Sequence, residues 1–210
     1  MRRILTPTVV GLLVLIVGAM AEAAPKPAST DPGDAPAGLY VLDKTHASLT
    51  AHVSHMGLSS YTMRFDGVDA QFNYDPANPE ASQIVATVDA NSMDVGAAKL
   101  ERGFARTFLD ADNHPKITFS STRIQRDGVH GTVTGDLTLR GVTWPVTLAV
   151  TFNGCGPGFM GLGGYRMGFS ATSDIKRSDF GSKQWASVVG DDVHLIIEAE
   201  FVRKQALAGP

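Results

Sequence analysis

Three histidines close together in the sequence come nearest to a metal-binding pattern. His46, His52 and His55 stand within one short stretch, and neutral imidazole is a common zinc ligand. On a regular strand His46 and His52 share one face and His55 points to the other. One ion could therefore reach all three only if the strand broke near Gly57. No cysteine or paired acid nearby completes a ligand set, so we predict surface or hydrogen-bonded histidines and no metal site.

One acidic cluster and one cysteine are the remaining candidates for catalysis. Asp191 and Asp192 precede His194, and a carboxylate beside an imidazole can exchange a proton. Two neighbouring carboxylates at a strand end are more simply explained as solvated side chains. Cys155 stands in a glycine-rich stretch with no base beside it to activate the thiol, and the chain has no GxSxG motif. We therefore predict no catalytic residue and a protein that is not an enzyme.

The stretch 156–161 has the glycine spacing of a phosphate-binding loop. It matches GxGxxG, but a dinucleotide site needs a helix directly after the glycines, because the pyrophosphate binds at the helix N-terminus. Two more glycines and an alternating strand follow instead, so this stretch is interpreted as a flexible hairpin loop. The formal net charge of −3 gives no electrostatic reason to expect nucleic acid as a partner.

Any site in this chain must be positioned by strands, because apolar and polar residues alternate along most of it. The clearest alternation runs from Val129 to Phe152, with one turn between its two halves. The same pattern predicts further strands over 47–53, 68–74 and 82–89, from residue 117 onward, and over 167–171 and 193–201. Over 97–108 the apolar spacing changes to three and four residues, which predicts a short helix that Asp94 could cap.

These elements predict an all-β fold: an eight-stranded antiparallel up-and-down barrel with one short helical insertion. The interior of such a barrel either fills with side chains or holds one small ligand. The inward positions of the predicted strands include Phe72, Phe119, Leu139, Leu148, Phe152, Phe169, Leu195 and Ile197.

Two interpretations of this interior stay open. An ordinary filled core is the simpler one, because protein interiors are close-packed. The small inward residues favour a cavity, since they leave volume that aromatic rings must fill or that a ligand can occupy. They are Ala47, Ala51, Ala70, Gly131 and Gly135.

The N-terminus has the pattern of a secretory signal peptide. A basic start, a long apolar run and the small residues around Ala23 predict a signal peptide over 1–23, and a single membrane anchor is the alternative. A Pro- and Ala-rich flexible linker over 24–38, a barrel domain over 39–203 and a disordered tail over 204–210 follow. Export to the periplasm is expected, with no stable membrane insertion after cleavage. Cys155 is the only cysteine, which excludes an internal disulfide.

Several motifs, in their order along the chain, resemble the YceI-like family. They are 40–43 with His46, 55–57, 109–121, 135–146 (GDLTLRGVTWPV), 175–181 (IKRSDFG) and 189–193. The resemblance spans about residues 39–202. It implies a lipocalin-like eight-stranded barrel, exported to the periplasm, that binds a polyisoprenoid or isoprenoid-quinone lipid in its interior. It implies no catalytic residue and no cofactor beyond that lipid. The alternative function is a non-enzymatic stress or interaction protein with a packed barrel core and partner-binding loops.

Overall fold

Ten strands and one α-helix follow one another along the residues that the computed structural model describes, which are 28–158 and 161–204. Their bounds are β1 (Gly38–His55), β2 (Ser59–Phe65), β3 (Val68–Tyr74), β4 (Ile84–Asp89), β5 (Met93–Asp94), α1 (Ala98–Leu109), β6 (Lys116–Asp127), β7 (His130–Leu139), β8 (Val142–Pro157), β9 (Tyr165–Lys176) and β10 (Val189–Arg203). The predicted signal peptide over 1–23 and residues 205–210 of the predicted tail lie outside this range. Among the described helices, none has the length and apolarity that a membrane span needs.

Strand β1 closes the sheet into a barrel because it pairs along both of its edges. One edge pairs with β10, and the other pairs first with β3 and then with β2. We call each of the eight strand positions around the barrel a stave. Strands β2 and β3 together occupy one stave, with an interruption between them, and β4 and β5 together occupy the next. The remaining order is β6, β7, β8, β9 and β10, all antiparallel. The predicted eight-stranded antiparallel barrel is thus confirmed, and the β1–β10 pairing closes it.

Strand β2 was not predicted from the sequence. The second strand was expected at 68–74, whereas this part of the barrel wall begins at Ser59, directly after a tight turn. Met56 and Gly57 form that turn with φ angles of 55° and 66°, the left-handed pair typical of a two-residue hairpin. The alternation of Tyr61, Met63 and Phe65 with polar residues was the signal that could have found it.

The helix lies within one residue of its predicted position, whereas its predicted cap and the glycine-rich loop differ from the prediction. Helix α1 begins at Ala98 without a side-chain cap. Asp94 lies before it and accepts a hydrogen bond from the Gly96 N–H at 2.7 Å in the preceding turn. Strand β8 continues to Pro157 and pairs there with Tyr165. The first part of the predicted flexible loop at 156–161 is therefore strand.

The connections divide the barrel into two ends. We call one the helix end: it carries the β1–β2 turn, α1, the β7–β8 turn and the β9–β10 connection at 177–188. We call the other the N-terminal end: it carries residues 28–37 and the β3–β4, β6–β7 and β8–β9 connections.

Residues 28–37 differ from the flexible linker predicted over 24–38, because they are packed against the N-terminal end. The hydroxyl of Tyr74 donates to the Pro32 carbonyl at 2.7 Å, and the hydroxyl of Tyr165 donates to that of Asp34 at 2.9 Å. Ala35 is 1% exposed within the aromatic cluster beneath it. Tyrosine donors and a small buried side chain therefore hold a segment whose composition alone indicates disorder. Residues 24–27 lie outside the described residues.

The same segment covers the only cysteine of the chain. Ser29 and Cys155 exchange two main-chain hydrogen bonds of 2.8 Å. The Cys155 thiol is buried, 3.6 Å from the Asp31 carbonyl oxygen and 3.4 Å from the Tyr165 hydroxyl. Burial and these contacts make Cys155 a packing residue beneath the N-terminal segment.

Candidate functional site

The barrel encloses a cavity of about 960 Å³. That volume lies near the top of the roughly 300–1,000 Å³ range of small-molecule sites, and is about six times the ~150 Å³ apolar cavity that binds benzene in an engineered protein core. The inward residues of every barrel stave contribute to its wall. All eight residues predicted from the alternation line it, namely Phe72, Phe119, Leu139, Leu148, Phe152, Phe169, Leu195 and Ile197.

Aromatic rings narrow the cavity at the N-terminal end. The ring of Phe72 stacks on Tyr40 with centroids 5.4 Å apart, and meets Phe201 edge-on at 5.0 Å and Phe169 at 5.9 Å. Phe152 adds a further edge contact to Phe169 at 5.5 Å. Such T-shaped and offset contacts fix the rings against one another. This ring cluster is therefore a closely packed apolar part of the cavity wall.

Aliphatic residues form the wall toward the helix end. Leu139 packs with Val146 and Phe180, and Leu148 lies beside them. Because Leu148 and Phe152 stand on the same face of β8, this wall continues without interruption into the aromatic cluster. The cavity consequently runs along the barrel from one end to the other.

The small inward residues play two different roles. Ala47, Ala51 and Ala70 line the cavity and widen it. Gly131 also lines it, but a methyl group there would lie 2.5 Å from the Gln125 carbonyl oxygen. Gly135 instead receives a neighbouring ring, since a methyl group there would lie 2.5 Å from Cζ of Phe119. Three of the five small positions therefore open volume, and at the two glycines neighbouring atoms occupy the place of a side chain.

A buried arginine supports the helix end of the cavity. The Arg177 guanidinium donates to the main-chain carbonyls of Ser182, Gln184, Val189 and Gly190 over 2.7–3.0 Å. Its charge is thereby solvated by peptide dipoles in place of water. The arginine fixes the β9–β10 connection over the barrel, and sequence reasoning did not single it out.

Two residues of the cavity wall carry buried hydroxyls without a hydrogen-bond partner among the described residues. Ser82 Oγ lies toward the N-terminal end and Ser182 Oγ toward the helix end, and both residues line the cavity. Burying a hydroxyl without a partner is costly, so each is a position that can receive the polar group of a ligand.

The histidines of the predicted cluster are dispersed. His46 Nδ1 lies 3.0 Å from an Asp43 carboxylate oxygen. His52 faces outward beside His194, with ring centroids 6.5 Å apart. His55 lies at the helix end next to Tyr61. Within 28–158 and 161–204, no three His, Cys, Asp or Glu residues stand close enough to share a metal ion.

The acidic cluster at the start of β10 is also divided among separate partners. Asp191 accepts hydrogen bonds from the Ser178 hydroxyl and N–H at 2.7 and 2.9 Å. These bonds, the hydroxyl foremost, lower the pKa of the Asp191 carboxyl. Asp192 pairs with Lys176 on the surface. Each carboxylate therefore has a structural partner, and the two are not combined into one reactive pair.

A closed eight-stranded antiparallel barrel around a continuous apolar cavity defines a lipocalin-like fold. The particular family follows from the sequence: residues 40–201 match the model of the YceI-like domain. The chain belongs to the YceI-like family.

Relatives and solved structures agree with this assignment. A UPF0312 protein from Pseudomonas aeruginosa is 34% identical over 175 residues, covering 82% of this chain and 91% of that protein. Protein YceI from Shigella flexneri is 36% identical over 176 residues, with the same coverage. The crystal structure of BcnA from Burkholderia cenocepacia matches with a TM-score of 0.67 and 27% identity, over 76% of this chain and 98% of that one.

A more distant structure shares the fold. It is a polyisoprenoid-binding domain from Saccharophagus degradans implicated in plant cell wall breakdown. It matches with a TM-score of 0.56 and 16% identity, over 79% of this chain and 98% of that one.

Proposed function

We propose that this protein binds an isoprenoid lipid, either a polyisoprenoid or an isoprenoid quinone, inside its barrel, and sequesters or carries it. The observation on which this proposal rests is the apolar cavity of about 960 Å³ that runs along the barrel. A long, flexible, apolar chain fits such a space, since it can follow the wall from the helix end to the aromatic cluster. The polyisoprenoid-binding domain with the same fold supports this ligand class.

The energetics favour a ligand with a long chain. Each buried CH₂ group contributes about 0.8 kcal/mol, so ten contribute roughly 8 kcal/mol. Immobilising the ligand costs several kcal/mol of translational, rotational and internal freedom. A short chain is therefore bound weakly, whereas a chain that occupies most of the cavity is retained.

Binding, and not catalysis, is the role that the side chains support. The wall of the cavity is aromatic and aliphatic, and the acids at the start of β10 have structural partners elsewhere. A packed stress or interaction protein would need a filled core, which the cavity volume argues against. The buried hydroxyls of Ser82 and Ser182 offer hydrogen bonds to a hydroxyl or carbonyl oxygen of the lipid.

We further propose that the protein works in the periplasm, after removal of a signal peptide at residues 1–23. The basic start, apolar run and small residues before the expected cut support this. N-terminal sequencing of protein from a periplasmic extract should begin near Ala24. A retained Met1 in a membrane fraction would contradict the proposal.

The binding proposal is tested by gentle purification, native mass spectrometry and solvent extraction of the same sample. We expect an added mass that disappears on extraction, and an isoprenoid lipid in the extract. A purely apo mass, with no lipid extracted and none taken up from added ubiquinone, would refute lipid binding.

A further inference from the structure

Exposed apolar side chains are distributed unevenly over the surface. Nine large apolar residues are exposed among the described residues, and six of them stand at the helix end. The β1–β2 turn, α1, the start of β8 and the β9–β10 connection each contribute at least one, and both tryptophans of the chain are included. The six are Met56, Leu58, Leu100, Val142, Trp144 and Trp185. We call them the apolar rim.

The fold holds part of this rim in place by hydrogen bonds. The Met56 N–H donates to the Val188 carbonyl at 2.7 Å, and the Val188 N–H donates to the Trp185 carbonyl at 2.9 Å. The β1–β2 turn and the β9–β10 connection are thus joined. Met56 and Trp185 also adopt left-handed φ angles of 55° and 59°, which bulky side chains rarely do. Residues held in unfavourable backbone conformations cluster at functional sites.

The apolar rim surrounds an opening of the lipid cavity. Met56, Leu100 and Trp185 are exposed and also line the cavity. At the N-terminal end the exposed residues that reach the cavity include polar ones such as Arg126 and His130. A lipid chain that moves through the helix end can therefore follow the apolar side chains of Met56, Leu100 and Trp185.

The charge of helix α1 is opposite to that of the chain. Helix α1 carries Lys99, Arg102 and Arg106 on its exposed surface against the single acid Glu101. Three positive charges and one negative give the helix +2, on a chain of formal net charge −3. Lys99 is itself at the opening. Basic side chains beside exposed tryptophan and leucine are the combination that binds anionic bilayer surfaces.

We propose that the helix end is a peripheral docking face for anionic phospholipid bilayers, through which the cavity exchanges its lipid with the membrane. The proposal builds on the lipid-binding function argued above. Tryptophan rings lie preferentially in the headgroup region of a bilayer. Docking there keeps an apolar chain out of water throughout its transfer.

Vesicle flotation tests the proposal with the exported protein. One set of vesicles contains equal parts of phosphatidylethanolamine and phosphatidylglycerol, and the other contains only phosphatidylcholine. We expect the wild type to float with the anionic set at low salt, with a blue shift of tryptophan emission. The variant Leu58→Ser/Trp144→Ser/Trp185→Ser should lose about tenfold or more of its partitioning. Lys99→Glu/Arg102→Glu should weaken binding to the anionic set and reduce its salt dependence.

Two controls keep the test specific. Val129→Ser/Leu162→Ser removes exposed apolar residues at the N-terminal end, and should float like the wild type. Leu58→Ser alone alters a turn residue that is 81% exposed, so its partitioning can be measured even if the triple variant fails to fold. It should float measurably less than the wild type.

Lipid content, measured on the same samples, separates the two proposals. Wild-type protein that contains isoprenoid but floats with neither vesicle set would overturn docking and leave lipid binding intact. Protein that floats through the apolar rim but never contains lipid would support docking and overturn lipid binding. Equal losses in the rim and control variants would also overturn docking at the helix end.

Discussion

The ring of Phe119 lies directly over Gly135 on the neighbouring strand, so closely that a methyl group on Gly135 would come within 2.5 Å of its Cζ atom. The glycine lets the ring lie against the barrel wall and not across the cavity. One missing Cβ therefore helps to set the free width of the barrel.

Replacing Gly135 by alanine should destabilise the fold. The new methyl group would meet both the Phe119 ring and the Ser120 carbonyl oxygen at 2.5 Å. Overpacking of this kind costs about 1–3 kcal/mol, which urea unfolding can measure. Gly103→Ala is the matched control, because nothing lies within 4 Å of its added methyl group. In a helix interior that change should stabilise by up to about 1 kcal/mol. An unchanged Gly135→Ala protein would show that the ring moves freely.

Leu148→Trp should shorten the cavity without unfolding the barrel. Leu148 lines the cavity in the wall toward the helix end, so a larger ring can project into space that lipid would occupy. We expect a near-normal melting temperature and a shift of the co-purified lipid toward shorter chains, measured by mass spectrometry.

Ala149→Trp is the control for this change, since residue 149 is exposed on the outer face of the same strand. It should leave the lipid profile as in the wild type. If Leu148→Trp melts well below Ala149→Trp, and neither protein nor the wild type carries lipid, the barrel is a filled core and the cavity proposal is wrong.

Asp43 should stabilise the protein only while it is ionised. The Thr45 hydroxyl donates to its carboxylate at 2.6 Å and Arg166 donates at 2.7 Å. These bonds, that of Thr45 foremost, lower the pKa of Asp43. A lowered pKa means that the stabilisation is present above about pH 4 and lost as the pH falls further. Asp43→Asn should cost about 1.5–3 kcal/mol at pH 7 and unfold with less dependence on acid pH.

Asp69→Asn is the control for Asp43. Asp69 also forms an ion pair, with Lys44 at 2.8 Å, but both side chains are mostly exposed. Exposed ion pairs contribute about 0–1 kcal/mol. Asp69→Asn should therefore change the free energy of unfolding in urea little, both at pH 7 and at acid pH. Equal effects of the two substitutions would contradict the role assigned to Asp43.

Alkaline pH should weaken the barrel through Tyr40. Burial raises the pKa of Tyr40 to about 12, and its hydroxyl donates to the Pro36 carbonyl at 2.8 Å. The folded state therefore favours the neutral phenol. Its stabilisation is complete below the unfolded pKa of about 10 and is lost as the pH rises toward 12. Tyr40→Phe should cost about 1 kcal/mol at pH 7 and flatten the decline of the unfolding free energy above pH 10.

Tyr61→Phe provides the comparison, because Tyr61 lies at the opposite end of the barrel beside Phe104. The unfolding free energy of Tyr61→Phe should decline above pH 10 as that of the wild type does. If the unfolding free energies of Tyr40→Phe and of the wild type decline in parallel above pH 10, ionisation of Tyr40 does not cause the loss of stability.

The barrel and its wall could be predicted because both depend on a local pattern. Alternation placed Leu148, Phe152 and the other six predicted residues on the inward face, and all of them line the cavity. Strand β2 was less visible, since Met56 and Gly57 form the preceding turn, where an Asn-Gly or Asp-Gly pair would be usual. The pattern of β2 then followed too closely to be separated from β1.

Two features depend on contacts that no local pattern encodes. The 28–37 segment is fixed by hydroxyl donors of Tyr74 and Tyr165, which are distant in sequence, so its composition alone suggested a linker. The volume of the cavity depends on how the rings pack. The hydrophobicity of Phe119 gave no sign that it would lie along the wall over Gly135 and leave the interior open.

Because Cys155 is buried, the rate at which its thiol reacts can report how often the N-terminal segment opens. As the chain holds a single thiol, sealed beneath the main chain of residues 29–31, any reagent that labels it must wait until that cover lifts. The labelling rate of the unmodified protein therefore counts the openings of the N-terminal segment, without an added probe. Comparing the labelling rate of lipid-filled protein with that of extracted protein would show whether bound lipid changes how often the N-terminal segment opens.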